Sequence, residues 1–101
     1  MKILIIKMSS LGDVVHALPL VTDIHGRLDD VVIDWVVEEA FAGIPALHEY
    51  VSSVIPIRLR RWRRAWRSSQ TRTEFSQFVS RLRRERYDLV IDAQGLFKSA
   101  L

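Results

Sequence analysis

Several residue types and motifs are missing from this chain of 101 residues, and each absence excludes a class of protein. There is no cysteine, so disulfide frameworks and thiolate metal sites are excluded. No apolar stretch approaches the roughly 20 residues of a membrane-spanning helix. Only four glycines occur, and neither the dinucleotide-binding fingerprint nor the P-loop is present. The three histidines and the acids show no metal-site spacing, and the composition is that of an ordinary globular domain.

Apolar runs rich in β-branched residues alternate with segments of helical periodicity. We predict strands at residues 2–7, 31–37, 51–57 and 87–92, and helices at residues 13–27, 38–47 and 73–86. Pro19 lies inside the first helical segment, so we expect a kink or a late start there. The alternation predicts a Rossmann-like parallel α/β sheet with helices on both faces. In the usual doubly wound order, strand 1 is central, strands 2 and 3 lie on one side and strand 4 on the other.

The polar turn after the first strand is the first candidate site, and it contains Ser9, Ser10, Gly12 and Asp13. We expect Gly12 to allow positive φ and a close approach of ligand to the backbone. The helix dipole would keep Asp13 ionised, as a base that accepts a proton from a bound hydroxyl. Alternatively, Ser10 or Asp13 only caps the helix. His16, one turn later, either orients Asp13, contacts a ligand or packs on the helix face.

The turn after the fourth strand is the second candidate site, with Asp92, Gln94, Gly95 and Lys98. In the expected strand order this turn and the first one flank the same crevice at the carboxyl ends of the strands. Asp92 is either a functional residue or a cap for the next turn.

A strongly basic segment follows the third strand. The range from Arg58 to Arg86 holds 11 arginines and two acids, whereas the rest of the chain holds four cations and ten acids. Within it, residues 58–67 interleave arginines with Trp62 and Trp66, which suits nucleic acid, an anionic membrane or a compact polyanionic ligand held by bidentate arginines. The alternative is a solvated helix whose two tryptophans face the core.

Four stretches in order, residues 7–19, 34–39, 57–66 and 91–100, resemble the lipopolysaccharide heptosyltransferase I family. The related heptosyltransferase II is a weaker fit. The resemblance implies a GT-B glycosyltransferase with two Rossmann-like domains and a cleft between them. Residues 1–101 would be an incomplete N-terminal, acceptor-side domain, with the C-terminal donor-binding domain absent.

The resemblance also implies the reaction. The family transfers L-glycero-D-manno-heptose from ADP-heptose to the Kdo of Kdo2-lipid A, with inversion and with no metal or other cofactor. By this resemblance, Asp13 matches the catalytic base of the family. Ser10 and Gly12 match the turn that shapes the site. The basic loop that receives the carboxylates and phosphates of the acceptor is matched by Arg60, Arg61, Arg63 and Arg64. The predicted substrate-binding residues are Ser9, Ser10, Gly12, His16, Arg60, Arg61, Arg63, Arg64, Asp92, Gln94, Gly95 and Lys98.

The same resemblance predicts a cytoplasmic protein in peripheral contact with the anionic inner membrane of a Gram-negative bacterium, with no nucleic acid as partner. We expect the chain to be a piece of a longer protein, to lack transferase activity alone and to self-associate through an exposed sheet edge or face. A different class remains open, namely a non-catalytic basic module that binds nucleic acid or anionic lipid through Arg58–Arg67.

Overall fold

A computed structural model describes residues 1–94, so the predicted site residues Gly95 and Lys98 lie outside the described residues. The strands are β1 (Lys2–Ile6), β2 (Val32–Glu38), β3 (Ser53–Ile57) and β4 (Leu89–Asp92). The helices are α1 (Leu11–Arg27), α2 (Gly43–Ala46), α3 (Leu59–Arg64) and α4 (Ser69–Glu85), with a 3₁₀ turn at Glu39–Phe41. Within residues 1–94, no helix combines the length and the hydropathy that crossing a membrane requires.

The four strands form one parallel sheet in the order β3-β2-β1-β4. Ile5 in β1 pairs with Trp35 in β2 on one side and with Ile91 in β4 on the other. The predicted order, with strand 1 between strands 2 and 4, is therefore confirmed. All four carboxyl ends point to the same edge, which is where the two polar turns emerge.

Both faces of the sheet are covered by helices, as predicted. Ile5, Trp35 and Val14 belong to the cluster of buried residues beneath α1 and α2. Leu4 and Val36 belong to the cluster on the opposite face, against α3 and α4. Because successive residues of a central strand enter different apolar layers, β1 and β2 show no alternation of polar and apolar residues.

Helix boundaries differ from the predicted ones because side chains cap them. Helix α1 begins at Leu11, not at residue 13, and it runs through Pro19, so the expected late start is wrong. Helix α4 begins at Ser69, not at residue 73, because the Ser68 hydroxyl accepts a hydrogen bond from the Thr71 amide at 3.2 Å.

The predicted helix at residues 38–47 is also different in the structure, where it is split into the 3₁₀ turn and the short α2. Glu38 remains extended at the end of β2, since its amide donates to the Met8 carbonyl at 3.0 Å. The side chain of Glu38 thus stays at the carboxyl edge of the sheet, beside the first polar turn.

Candidate functional site

The Asp13 carboxylate lies exposed at the first turn of α1, at the carboxyl end of β1. Its Oδ2 accepts hydrogen bonds from the Ser10 amide at 3.3 Å and from the Ser10 hydroxyl at 3.2 Å. These bonds, with a smaller contribution from the charge of Lys7, lower the pKa of Asp13 below its ordinary value. Ser10 and Asp13 thus do cap α1, and the role of Asp13 as a base stays a prediction. Capping uses Oδ2, and the carboxylate remains open to solvent.

Two other residues of α1 differ from expectation. Gly12 has no left-handed φ, and a Cβ built on it would meet nothing within 4 Å, so the structure does not use the positive φ that glycine allows there. The reason is that the helix already includes Gly12 in its first turn. His16 is exposed, so the interpretation that it packs on the protein is wrong. It lies one helical turn beyond Asp13, on the same side of α1.

The turn after β4 is tied to the turn after β1. The Gln94 side-chain oxygen Oε1 accepts hydrogen bonds from the amides of Met8 at 3.0 Å and Ser9 at 3.3 Å. In addition, the Lys7 ammonium donates to the Ala93 carbonyl at 3.2 Å. The predicted meeting of the two turns is confirmed, and Gln94 sets the path of the backbone that leads into Ser9 and Ser10.

Asp92 ends β4, where it pairs in register with Ile6 of β1. This places it at the same sheet edge as the two turns. Whether it caps the following turn concerns residues outside the described range, so its predicted role in the site stays a prediction.

The basic segment folds as helix α3, whose first amide is capped from β2. Glu38 Oε1 accepts the hydrogen bond of the Leu59 amide at 3.1 Å. Trp62 is 8% exposed and packs edge-on against Phe75, with ring centroids 5.8 Å apart. Trp66 is 60% exposed, so the interpretation that both tryptophans face the core is wrong for it. The spacing rule fails because α3 ends at Arg64, before Trp66 is reached.

A cavity of about 650 Å³ lies between the first polar turn and α3. Its walls combine serines, arginines, one acid and apolar residues, namely Ser9, Ser10, Glu38, Ala40, Phe41, Leu59, Arg60, Arg63 and Arg64. Within residues 1–94 no ion pair engages Arg60, Arg63 or Arg64. The cavity therefore offers three guanidinium groups outside these ion pairs and one acid, Glu38, beside the serine that holds Asp13. This arrangement suits a ligand with several negative charges.

Arg61 does not line this cavity, but it lines a neighbouring one of about 460 Å³ together with Arg60 and Arg64. It forms an ion pair with Glu74 of α4. Arg58 also pairs with Glu74, and with Glu39. Among the described residues, Arg58 and Arg61 are therefore paired with acids of the same chain, whereas Arg60, Arg63 and Arg64 line the larger cavity without an ion pair.

Sequence reasoning missed Glu38 and the apolar wall of the cavity. The sequence pattern predicts that Glu38 opens a helix, although this residue directly follows a predicted strand of the parallel sheet. Because the carboxyl ends of neighbouring parallel strands meet at one edge, that position was the signal that could have placed it beside Ser9.

Known proteins resemble the chain over nearly all of its length. It is 52% identical over 100 residues to lipopolysaccharide heptosyltransferase 1 of Escherichia coli K12, a match that spans 99% of the chain and 31% of the relative. The resemblance to lipopolysaccharide heptosyltransferase I is confirmed. The enzyme of the same name from Pseudomonas aeruginosa is 51% identical over 100 residues, 28% of its length. The chain thus spans about a third of the length of these relatives. No protein-family model matches it.

Solved structures give the same result for the fold. The chain matches the E. coli heptosyltransferase WaaC with ADP at a TM-score of 0.90 and 51% identity, over 99% of this chain and 31% of that one. E. coli ADP-heptose lps heptosyltransferase II matches at a TM-score of 0.72 and 25% identity, over 26% of its chain. The expectation that heptosyltransferase II fits less well is confirmed, and so is the Rossmann-like α/β fold of a GT-B glycosyltransferase domain.

Proposed function

We propose that this chain forms the acceptor side of an inverting heptosyltransferase of lipopolysaccharide inner-core synthesis. The transferred group would be L-glycero-D-manno-heptose, the donor ADP-heptose and the acceptor the Kdo of Kdo2-lipid A. One observation carries the proposal, namely that the ionised Asp13 and the three unpaired arginines of the cavity lie at the same edge of the sheet. We call these three arginines the anion clamp. An anion clamp with a base beside it can hold an acidic sugar and activate its hydroxyl.

Asp13 is the proposed general base. Its carboxylate is ionised at neutral pH, and the Ser10 hydrogen bonds fix its position. It can therefore accept the proton of the acceptor hydroxyl while that oxygen attacks the anomeric carbon of the donor. The new bond forms between the Kdo oxygen and the anomeric carbon. The bond from that carbon to the ADP oxygen breaks on the opposite face, and ADP departs with the electron pair, which inverts the centre.

Arg60, Arg63 and Arg64 are proposed to bind the carboxylates and phosphates of the acceptor. Guanidinium groups form paired hydrogen bonds with such groups, and the walls of the cavity hold them within reach of Ser9 and Ser10. The donor would be held by a second domain. The ADP in the WaaC structure supports a nucleotide-sugar donor. The proposal includes no metal and no other cofactor.

A lipid acceptor would require contact with a membrane surface. Trp66, exposed after the end of α3, has the Arg67 guanidinium 4.8 Å from its ring centroid. An indole with an arginine stacked on its ring suits the headgroup region of an anionic bilayer. We therefore propose peripheral attachment at the cytoplasmic face of the inner membrane.

The test is a chimaera in which this chain replaces the matching stretch of the E. coli enzyme. Asp13→Asn in the chimaera should lower kcat by about 10² or more and leave the KM for Kdo2-lipid A nearly unchanged. Asp23→Asn, the same substitution at an exposed position of α1, is the matched control. Full turnover by the Asp13→Asn chimaera would remove Asp13 from the mechanism.

The exposed Trp66 and the unpaired arginines also support a second candidate, a non-catalytic module that binds nucleic acid or anionic lipid through Arg58–Arg67. Against nucleic acid, the burial of Trp62 leaves one of the two tryptophans of the segment for base stacking. Binding of the chain to single-stranded DNA and to Kdo2-lipid A, each at two salt concentrations, separates the two functions. Preference for DNA with a steep salt dependence would favour the module.

A further inference from the structure

Glu74 of α4 contacts two residues of helix α3 and Arg58, the residue directly before it. Its Oε2 accepts a hydrogen bond from Arg58 Nη1 at 2.9 Å, and its Oε1 accepts one from Trp62 Nε1 at 3.0 Å. Between them, Arg61 Nη2 donates to both oxygens of the same carboxylate. These three residues have the spacing i, i+3 and i+4, which puts them on a single side of a helix.

Arg60, Arg63 and Arg64, which line the cavity, repeat the same i, i+3 and i+4 spacing with a shift of two residues. Such a shift is more than half a helical turn, so the three are centred on a different side of α3 from the residues that Glu74 holds. The two sets meet at Arg61 and Arg64, which are spaced i, i+3 and line a neighbouring cavity with Arg60. The rotation of α3 about its own axis therefore decides which arginines reach the ligand. A helix of six residues sets that rotation poorly by itself.

Glu74 is well placed to set the rotation. Its side chain is 21% exposed, and hydrogen bonds from Arg61 and Trp62 lower its pKa, so the carboxylate stays charged. Helix α4 is in turn anchored on the sheet by Phe78 and Leu82. The carboxylate is thus attached to a helix with 17 residues, nearly three times the length of α3.

We propose that Glu74 is the positioning residue of the anion clamp. Together with Glu39 it neutralises Arg58 and Arg61. It holds the Trp62 side of α3 against α4, and so directs Arg60, Arg63 and Arg64 into the cavity. In this arrangement Arg61 supports the clamp without belonging to it. The identity of the anion rests on the proposed function, whereas the orientation of α3 does not.

The first experiment measures the orientation alone, by hydrogen exchange of the 101-residue chain. Glu74→Gln should accelerate exchange of the α3 amides by about tenfold, while the amides of β1 and β2 stay protected. Glu85→Gln is the matched control, since Glu85 lies on the same helix and loses one ion pair, with Lys2, on the same substitution. Unchanged exchange in α3, or equal acceleration by Glu85→Gln, would overturn the proposal.

The second experiment measures the consequence for the ligand in the chimaera with the E. coli enzyme. Glu74→Gln should raise the KM for Kdo2-lipid A about fivefold or more and leave kcat within about twofold. Arg60→Gln should raise this KM more than Arg61→Gln does. If Arg61→Gln has the larger effect, or if Glu74→Gln lowers kcat and spares KM, the assignment is wrong.

The two experiments separate the two proposals. An inactive chimaera with accelerated exchange in α3 would count against the heptosyltransferase function and support the positioning role. An active chimaera whose KM is unaffected by Glu74→Gln would support the heptosyltransferase function and count against the positioning role of Glu74.

Discussion

Tyr87→Phe tests the polar contact that crosses the sheet. Asp34, in the middle of β2, is 5% exposed, and the Tyr87 hydroxyl donates a hydrogen bond of 2.6 Å to its Oδ2. Within residues 1–94, the hydrogen bond to this carboxylate comes from Tyr87. Tyr87 lies two residues before β4, so the contact ties that end of the chain to β2 across β1.

The magnitude follows from burial and charge. Phenylalanine keeps the ring packed on the core and removes only the hydroxyl, so the loss is the hydrogen bond plus the cost of a buried carboxylate left without a donor. A hydrogen bond to a charged group contributes about 1.5–3 kcal/mol. We therefore expect the free energy of unfolding to fall by about 2–3 kcal/mol, which lowers the urea midpoint by about 1–2 M.

The assay is urea unfolding of the 101-residue chain at pH 7, followed by far-UV circular dichroism. Tyr50→Phe is the matched control, because Tyr50 is the other tyrosine of the chain and its ring stacks on His25 at 3.5 Å, a contact that phenylalanine retains. A midpoint for Tyr87→Phe that equals the midpoint for Tyr50→Phe would refute the reasoning.

Four further predictions follow from the same structure. Burial and the hydrogen bond to Asp34 raise the pKa of Tyr87, so above about pH 10 the unfolded chain loses the phenolic proton before the folded chain does. The free energy of unfolding should therefore fall with rising pH. Urea midpoints should show a smaller fall for Tyr87→Phe. Gln94→Ala removes the acceptor of two turn amides and should cost about 1–2 kcal/mol in the same unfolding assay. The chain alone should release no ADP from ADP-heptose in a coupled assay, and release would contradict the need for a second domain. Val90 is 50% exposed on β4, an edge strand of the described sheet, so Val90→Lys should reduce self-association in sedimentation velocity.

Much of the fold could be predicted from local patterns. The apolar runs without alternation predicted central strands of a parallel sheet, and the alternation with helices predicted the strand order, which in turn brought the two polar turns together. Helix starts were placed two to four residues late, because the caps at Ser10 and Ser68 depend on backbone geometry that periodicity does not report.

The sequence by itself determined the sheet, the position of Asp13 at the carboxyl end of β1, and the concentration of arginines after β3. Only the tertiary structure decided how those arginines are used. Local spacing defines the sides of α3, but not which side turns toward the cavity. That choice depends on Glu74, which lies 13 residues beyond Arg61 along the chain and meets it through the packing of α4 on the sheet. Likewise, Trp62 is buried and Trp66 exposed because α3 stops between them, and the end of so short a helix is set by its neighbours more than by its own residues.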